Sequence, residues 1–269
     1  MKGRSLLNRL PLVGLAMVLA LGCGGGSRPV TSATPVASGL SRAAVDSLWG
    51  RALWLYGWGH WAKAQTLFER ILLEVPAGDS LVAEARFRVG ECQLAEGSQL
   101  QAAHEFRKVS DEMPNARLAP EALLRAGDAY RDLWRRPELD PTYGQTALAA
   151  YTELVNRYPD SRAAARAKVR IADLEEDFAT KQFKAAQYYY RLKAYDSAIL
   201  YFKDIAATYP RAAVTPRALL RLVQAYHALG YAEDVRETCG YIRQFHPTTP
   251  GLETHCPLPR DPTAATSTR

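Results

Sequence analysis

The sequence predicts an all-α fold: a right-handed superhelix of five helical hairpins with one long connecting helix. The first observation is a repeated triplet of a small residue, an aromatic residue four positions later and a proline eight positions after that. The second is that apolar residues between these prolines recur at helical spacing. The third is a run, residues 162–178, with neither glycine nor proline, where a helix can continue. The triplets are Ala64-Phe68-Pro76, Ala102-Phe106-Pro114, Ala147-Tyr151-Pro159, Ala198-Phe202-Pro210 and, more weakly, Val235-Cys239-Pro247.

This triplet is typical of the second helix of a tetratricopeptide (TPR) hairpin. The small residue lets two helices approach closely, the aromatic side chain fills the space beneath, and the proline ends the helix. Stacked hairpins of this kind offer extended surfaces for binding other chains. The sequence therefore predicts a binding protein and no enzyme.

The hairpins can be assigned in chain order. Ser41 is a suitable N-cap for the first, and Gly59 in its turn is expected to take a positive φ. In the second hairpin, Gly90 is expected where the helices pack closest and Gly97 at the turn. The predicted repeats span about 41–77, 79–115, 117–160, 162–211 and 213–247, and the Pro/Thr-rich tail 248–269 is predicted to be disordered.

The third and fourth repeats are longer than the TPR norm. Residues 135–144 lengthen the third inter-helix loop, after a helix with Gly127 and Tyr130 at core positions. In the fourth repeat the extra residues predict one helix from about Ser161 to Leu192, up to ~45 Å long. Whether it bends near Thr180 stays open.

The N-terminus has the organisation of a bacterial lipoprotein leader. Residues 1–22 begin with basic side chains, continue with a short apolar run and end in Ala-Leu-Gly before Cys23. We expect Cys23 to be lipidated, with cleavage of a plain signal peptide as the alternative. Residues 23–40 then form a Gly/Ser/Thr/Pro-rich tether. Gly24 after the cysteine favours sorting to the outer membrane.

Composition argues against several other classes of protein. The 269 residues are 48% apolar with a formal charge of +6, and without the three leader cations the charge is about +3, too low to predict a nucleic-acid partner. No catalytic, phosphate-binding or metal motif is present, so no cofactor is expected. Cys239 and Cys256 are expected as free thiols, with a disulfide as the alternative. A metal site formed by these cysteines with His246 and His255 is not favoured, because their spacing matches no familiar zinc pattern.

The first helix of each TPR hairpin lines the concave groove. Counting its second, fifth, ninth and twelfth positions predicts a groove that suits an extended peptide with alternating aromatic side chains. For the two residues of the first repeat, ordinary packing at the end of the array is the alternative. The predicted groove residues are Trp49, Tyr56, Phe87, Glu91, Leu94, Asp128 and Arg131.

Residues 136–210 resemble the BamD family, outer-membrane lipoproteins of the β-barrel assembly machinery, through the loop with Asp140-Pro141-Thr142 and the long run that follows it. The resemblance implies a non-enzymatic scaffold, lipid-anchored on the periplasmic face of the outer membrane. The implied partners are a BamA-type barrel-inserting subunit, unfolded outer-membrane β-barrel proteins and other assembly lipoproteins. Tyr190 and Arg191 are the predicted contacts with the barrel subunit. The alternative is a TPR lipoprotein of another envelope system, such as a CpoB-like cell-wall coordinator or a secretin pilot.

Overall fold

The computed structural model describes residues 39–257, and every regular element in that range is a helix. The all-α prediction is confirmed. The helices are α1 (Arg42–Gly57), α2 (Trp61–Glu74), α3 (Ser80–Ala95), α4 (Gln99–Glu112), α5 (Ala119–Leu133), α6 (Thr142–Arg157), α7 (Arg162–Arg191), α8 (Tyr195–Thr208), α9 (Thr215–Leu229), α10 (Ala232–Phe245) and α11 (Leu252–His255).

The first ten helices form five hairpins, each of which packs on the next. Every helix from α1 to α10 contacts the helix that follows it, and the first helices of neighbouring hairpins also contact each other, α3 with α5, α5 with α7 and α7 with α9. This places the first helices on one side of the array and the second helices on the other. The arrangement is the TPR superhelix that the repeated triplet predicts.

Local sequence signals set the helix ends. The Oγ of Ser41 accepts the N–H of Ala44 at the start of α1, and the Oγ of Ser161 accepts the N–H of Ala164 at the start of α7. These side-chain bonds satisfy N–H groups that have no partner inside the helix. Each second helix ends two positions before the proline of its triplet, as expected because proline cannot continue a helix.

Four turns inside the hairpins use a residue with positive φ. Glycine takes this position in the first, second and fifth hairpins, with φ of 74° at Gly59, 79° at Gly97 and 77° at Gly230. In the fourth hairpin Lys193 takes it, with φ of 59°. A side chain with a Cβ is disfavoured there, so this turn is the most strained of the four.

The core follows the triplets closely. The alanine and the aromatic residue of the first four triplets are fully buried. In two hairpins a glycine of the first helix faces that aromatic ring: a Cβ on Gly90 would lie 2.8 Å from the Phe106 ring, and one on Gly127 would overlap the ring of Tyr151. The expected close approach at Gly90 is therefore present, and a second one lies at Gly127.

Helix α7 is 30 residues long and matches the predicted long helix almost residue for residue. The middle of α7 packs against the extended loop of the third hairpin. Trp134, which is buried, stacks on Phe178 of α7 with ring centroids 4.7 Å apart. Lys181 of α7 donates to the loop carbonyl of Leu139 at 2.7 Å, and Lys184 pairs with Glu138. The loop is thus fastened to α7 at several points.

The start of the C-terminal tail differs from the prediction of disorder. Residues 248–257 fold back on the last hairpin, where Leu252 and Cys256 are buried in the core formed by α7 to α11. Cys239 and Cys256 form a disulfide with their Cα atoms 5.6 Å apart, so the expectation of two free thiols is wrong. Cys239 stands where other repeats carry an aromatic ring, and the smaller side chain leaves room for Cys256.

Several predicted features lie outside the described residues. These are the leader 1–22, Cys23, the tether up to residue 38 and residues 258–269. Within residues 39–257, no helix is both long enough and apolar enough to cross a membrane.

Candidate protein-binding surfaces

The predicted groove lies on the side formed by the first helices, and its N-terminal part joins α1 to α3. The hydroxyl of Tyr56 donates to Oε2 of Glu91 at 3.0 Å, and Arg88 donates to the same oxygen at 2.6 Å. The Arg88 guanidinium also lies 5.0 Å from the centre of the Tyr56 ring. Burial and the neighbouring Glu91 carboxylate raise the pKa of Tyr56. The structure therefore brings Tyr56 and Glu91 together, as members of one polar cluster.

The apolar residues predicted for the groove pack against the hydrophobic core. Phe87 is only 7% exposed and packs edge-on against Phe106, with ring centroids 5.2 Å apart. It belongs to the core, which corrects its assignment to the groove surface. Trp49 is half-buried and packs edge-on against Phe68 at 5.2 Å, and Leu94 is half-buried against the core of the second and third hairpins. These two retain some accessible surface.

The central part of the groove is a charged cleft between α5 and α7. Oδ1 of Asp128 accepts the hydroxyl of the buried Tyr151 at 2.8 Å and lies 3.3 Å from Nε of Arg170. Arg131 pairs with Asp177 of α7 at 2.7 Å. Burial and the Asp128 carboxylate raise the pKa of Tyr151, so its hydroxyl stays protonated as a donor. Asp128 and Arg131 thus line one cleft, and their role in binding a peptide stays a prediction.

Sequence reasoning missed the α7 half of this cleft. The cleft has a volume of about 390 Å³, and α7 supplies Arg170 and Asp173 to its lining. The extra residues at the start of α7 shift the register of the fourth repeat relative to the TPR count. Charged residues on that added segment, three positions apart and therefore on one helix face, were the available signal. The lining residues are Arg125, Asp128, Arg131, Asp132, Arg170 and Asp173.

The predicted partner contacts lie at the end of α7 and differ in accessibility. Arg191 is exposed at the last helical position. Tyr190 is half-buried, packs edge-on against Tyr195 at 5.4 Å and lies 5.5 Å from the Arg221 guanidinium. The exposed Tyr188 and Leu192 flank Arg191. Arg191 is therefore available to a partner, while Tyr190 mainly supports the surface from below.

Metal ligation finds no support in the described part of the chain. No group of three His, Cys, Asp or Glu side chains in residues 39–257 is arranged to hold an ion. The metal site considered for the tail loses two of its possible ligands, because Cys239 and Cys256 bond each other and offer no thiolate.

Comparison with known proteins identifies the family. The family model described as "YfiO: Outer membrane lipoprotein" matches residues 59–239, which is more than half of the chain. The outer membrane protein assembly factor BamD of Xylella fastidiosa (strain 9a5c) is 26% identical over 220 residues, which cover 77% of this chain and 75% of that protein. BamD of Neisseria meningitidis serogroup A is 30% identical over 122 residues, 45% of each chain.

Solved structures with a related arrangement of helices are distant. The crystal structure of the P58(IPK) TPR domain covers 79% of this chain and 54% of that chain at 18% identity, with a TM-score of 0.42. The TPR2AB-domain:pHSP90 complex of yeast Sti1 covers 80% of this chain and 82% of that chain at 10% identity, also with a TM-score of 0.42.

Proposed function

The chain belongs to the YfiO family of outer membrane lipoproteins, and we propose that it is a non-enzymatic scaffold of the β-barrel assembly machinery. In this role it binds the barrel-inserting subunit and segments of unfolded outer-membrane proteins. Relatives named outer membrane protein assembly factor BamD, matched over up to 77% of the chain, support this role. Lipidation of Cys23 would hold the scaffold on the periplasmic face of the outer membrane.

One observation carries the proposal: on the first helices, half-buried aromatic side chains of α1 precede a charged cleft between α5 and α7. At one end Trp49 and Tyr56 offer half-buried rings. In the middle, Asp128 and Arg131 are already paired, with Tyr151 and Asp177 respectively. An extended strand with alternating aromatic side chains would place its rings at the first end and its backbone along the charged groups. No bond chemistry is needed for this task.

The proposed contact with the barrel-inserting subunit lies at the C-terminal end of α7, in the fourth hairpin. Arg191, with the exposed Tyr188 and Leu192, offers a guanidinium beside apolar surface. Arginine and tyrosine are enriched at the centres of protein–protein interfaces. Because the patch lies at the far end of α7 from the charged cleft, both chains could be bound at the same time.

The test is an affinity capture of the lipidated chain from outer membranes of the native bacterium, followed by mass spectrometry. We expect a BamA-type barrel subunit to be the main partner and Arg191→Ala to lower its recovery about tenfold. Arg211→Ala is the matched control, since Arg211 is also exposed but lies in the connection between α8 and α9. Recovery of cell-wall enzymes or a secretin without the barrel subunit would favour the alternative envelope role and contradict the proposal.

A further inference from the structure

Two tryptophans of the first hairpin are unusually open to solvent. Trp54 in the last turn of α1 and Trp58 directly after the helix are 58% and 69% exposed, and their ring centroids are 6.0 Å apart. Trp134, by contrast, is 4% exposed. An indole pair held side by side in water loses the stabilisation that burial would give it. The proposed peptide groove does not use these rings.

The surrounding face of α1 is uncovered and smooth. Helix α1 packs mainly against α2, since no hairpin precedes it in the described part of the chain. Gly50 and Gly57, one turn on either side of Trp54, have no atom within 4 Å of where a Cβ would stand. The exposed end of a solenoid usually carries a polar capping face. Here it carries Trp54, Trp58 and the partly exposed Leu53.

Two exposed basic side chains lie in the same hairpin. Arg51 lies one turn before Trp54, and Lys63 lies in the first turn of α2; both are exposed. Within residues 39–257 neither has a carboxylate within ion-pair distance. The acidic Asp46, which lies earlier in α1 than Arg51, is paired with Arg42. The face therefore combines indole rings with unpaired positive charge.

We propose that this face docks on the surface of a phospholipid bilayer, with the two indoles at the level of the headgroups. Tryptophan favours that depth because its ring is apolar while its N–H needs a polar partner. Arg51 and Lys63 would lie against anionic lipid phosphates. A purely apolar protein surface would cover the rings but would leave Arg51 and Lys63 without a counter-charge.

The position of Cys23 in the sequence also favours a membrane as the partner of this face. Cys23 precedes the start of α1 by 19 residues in the sequence, so the first hairpin is the first folded part of the chain after the predicted lipid. The inference rests on the proposed lipid attachment for this proximity. Anchoring by the acyl chains and docking by the α1 face would together set how the superhelix is oriented.

The test uses a chain of residues 24–269, which lacks the leader and Cys23 but keeps the whole described unit. We expect this chain to co-sediment with vesicles of phosphatidylethanolamine and phosphatidylglycerol. Trp54→Ala combined with Trp58→Ala should lower the partition coefficient about tenfold, because membrane binding scales with buried apolar area. Leu73→Ala is the matched control, since Leu73 is 86% exposed in the same hairpin; it should bind like the wild type. Circular dichroism should show unchanged helix content in all variants.

Two results would overturn the inference: no vesicle binding by the wild type, or equal binding by wild type and double variant. If the double variant binds vesicles normally but loses a protein in the affinity capture, the face is a protein interface and not a lipid-docking surface. The two proposals fail in different experiments. If the scaffold proposal is wrong, the barrel subunit is absent from the affinity capture, but the chain of residues 24–269 still binds vesicles.

Discussion

At the residue scale, the fold depends on glycines placed where an aromatic ring needs room. Gly127 faces the ring of Tyr151, and Gly90 faces that of Phe106. Both aromatic rings could be predicted as core from their distance to the proline of the triplet. Phe87 could not be placed in the same way, because the TPR count gives its position along α3 but not whether its ring turns toward the groove or toward Phe106.

Gly127→Ala should lower the free energy of unfolding by about 1–3 kcal/mol, since the new methyl group would overlap the buried Tyr151 ring. Gly240→Ala is the control. Gly240 lies in α10 with no atom within 4 Å of an added Cβ, so alanine there should stabilise the protein by about 0.5–1 kcal/mol. Urea denaturation followed by circular dichroism measures both. Equal effects of the two substitutions would mean that the contact with Tyr151 does not limit the packing.

At the element scale, the long helix was predictable and the C-terminal cap was not. Residues 162–178 lack glycine and proline and carry apolar residues at helical spacing, so continuation of α7 follows from local sequence. Helix α11 has four residues, too few for a periodic signal. Its position depends on long-range contacts, namely the disulfide to Cys239 and a 2.7 Å contact between the side chains of Gln224 and His255.

Removing the disulfide with Cys239→Ala and Cys256→Ala should lower the free energy of unfolding by about 3 kcal/mol, the value expected for a closed loop of this length. Dithiothreitol should destabilise the wild type to a similar extent. The double variant itself is the control, because dithiothreitol should leave it unchanged. A wild type whose urea midpoint is insensitive to dithiothreitol would contradict the assignment of this bond as a stabilising one.

At the scale of the whole molecule, the main contacts between hairpins of residues 39–257 join neighbours in the array, so stability should vary along it. Cys92 can report on this. It is buried in α3 and is the free cysteine of the described residues, and burial raises the pKa of its thiol to about 12. At pH 8 a thiol reagent should reach it only when the second hairpin opens.

Gly90→Ala, which crowds Phe106 in that hairpin, should therefore speed alkylation of Cys92 about tenfold or more in the chain of residues 24–269. Gly144→Ala crowds Trp134 in the third hairpin and should speed it by less than about threefold. Mass spectrometry of timed samples gives both rates. Identical accelerations would show that the array opens as a single cooperative unit.

The site was predictable in part, for a reason of geometry. Repeat position predicted that Asp128 and Arg131 share a surface, and they line one cleft. The opposite wall, with Arg170 and Asp173, lies on the added segment of α7, whose register no repeat count provides. Surface properties that depend on the open end of the array, such as the exposure of Trp54 and Trp58, required the three-dimensional arrangement.

Helix α7 has a consequence for how two bound chains relate to each other. Arg170 borders the charged cleft and Arg191 ends the helix, with one uninterrupted rod between them. At 1.5 Å per residue they are separated by about 30 Å along its axis. If the cleft and Arg191 each bind a chain as proposed, the length of α7 sets the distance between the two bound chains.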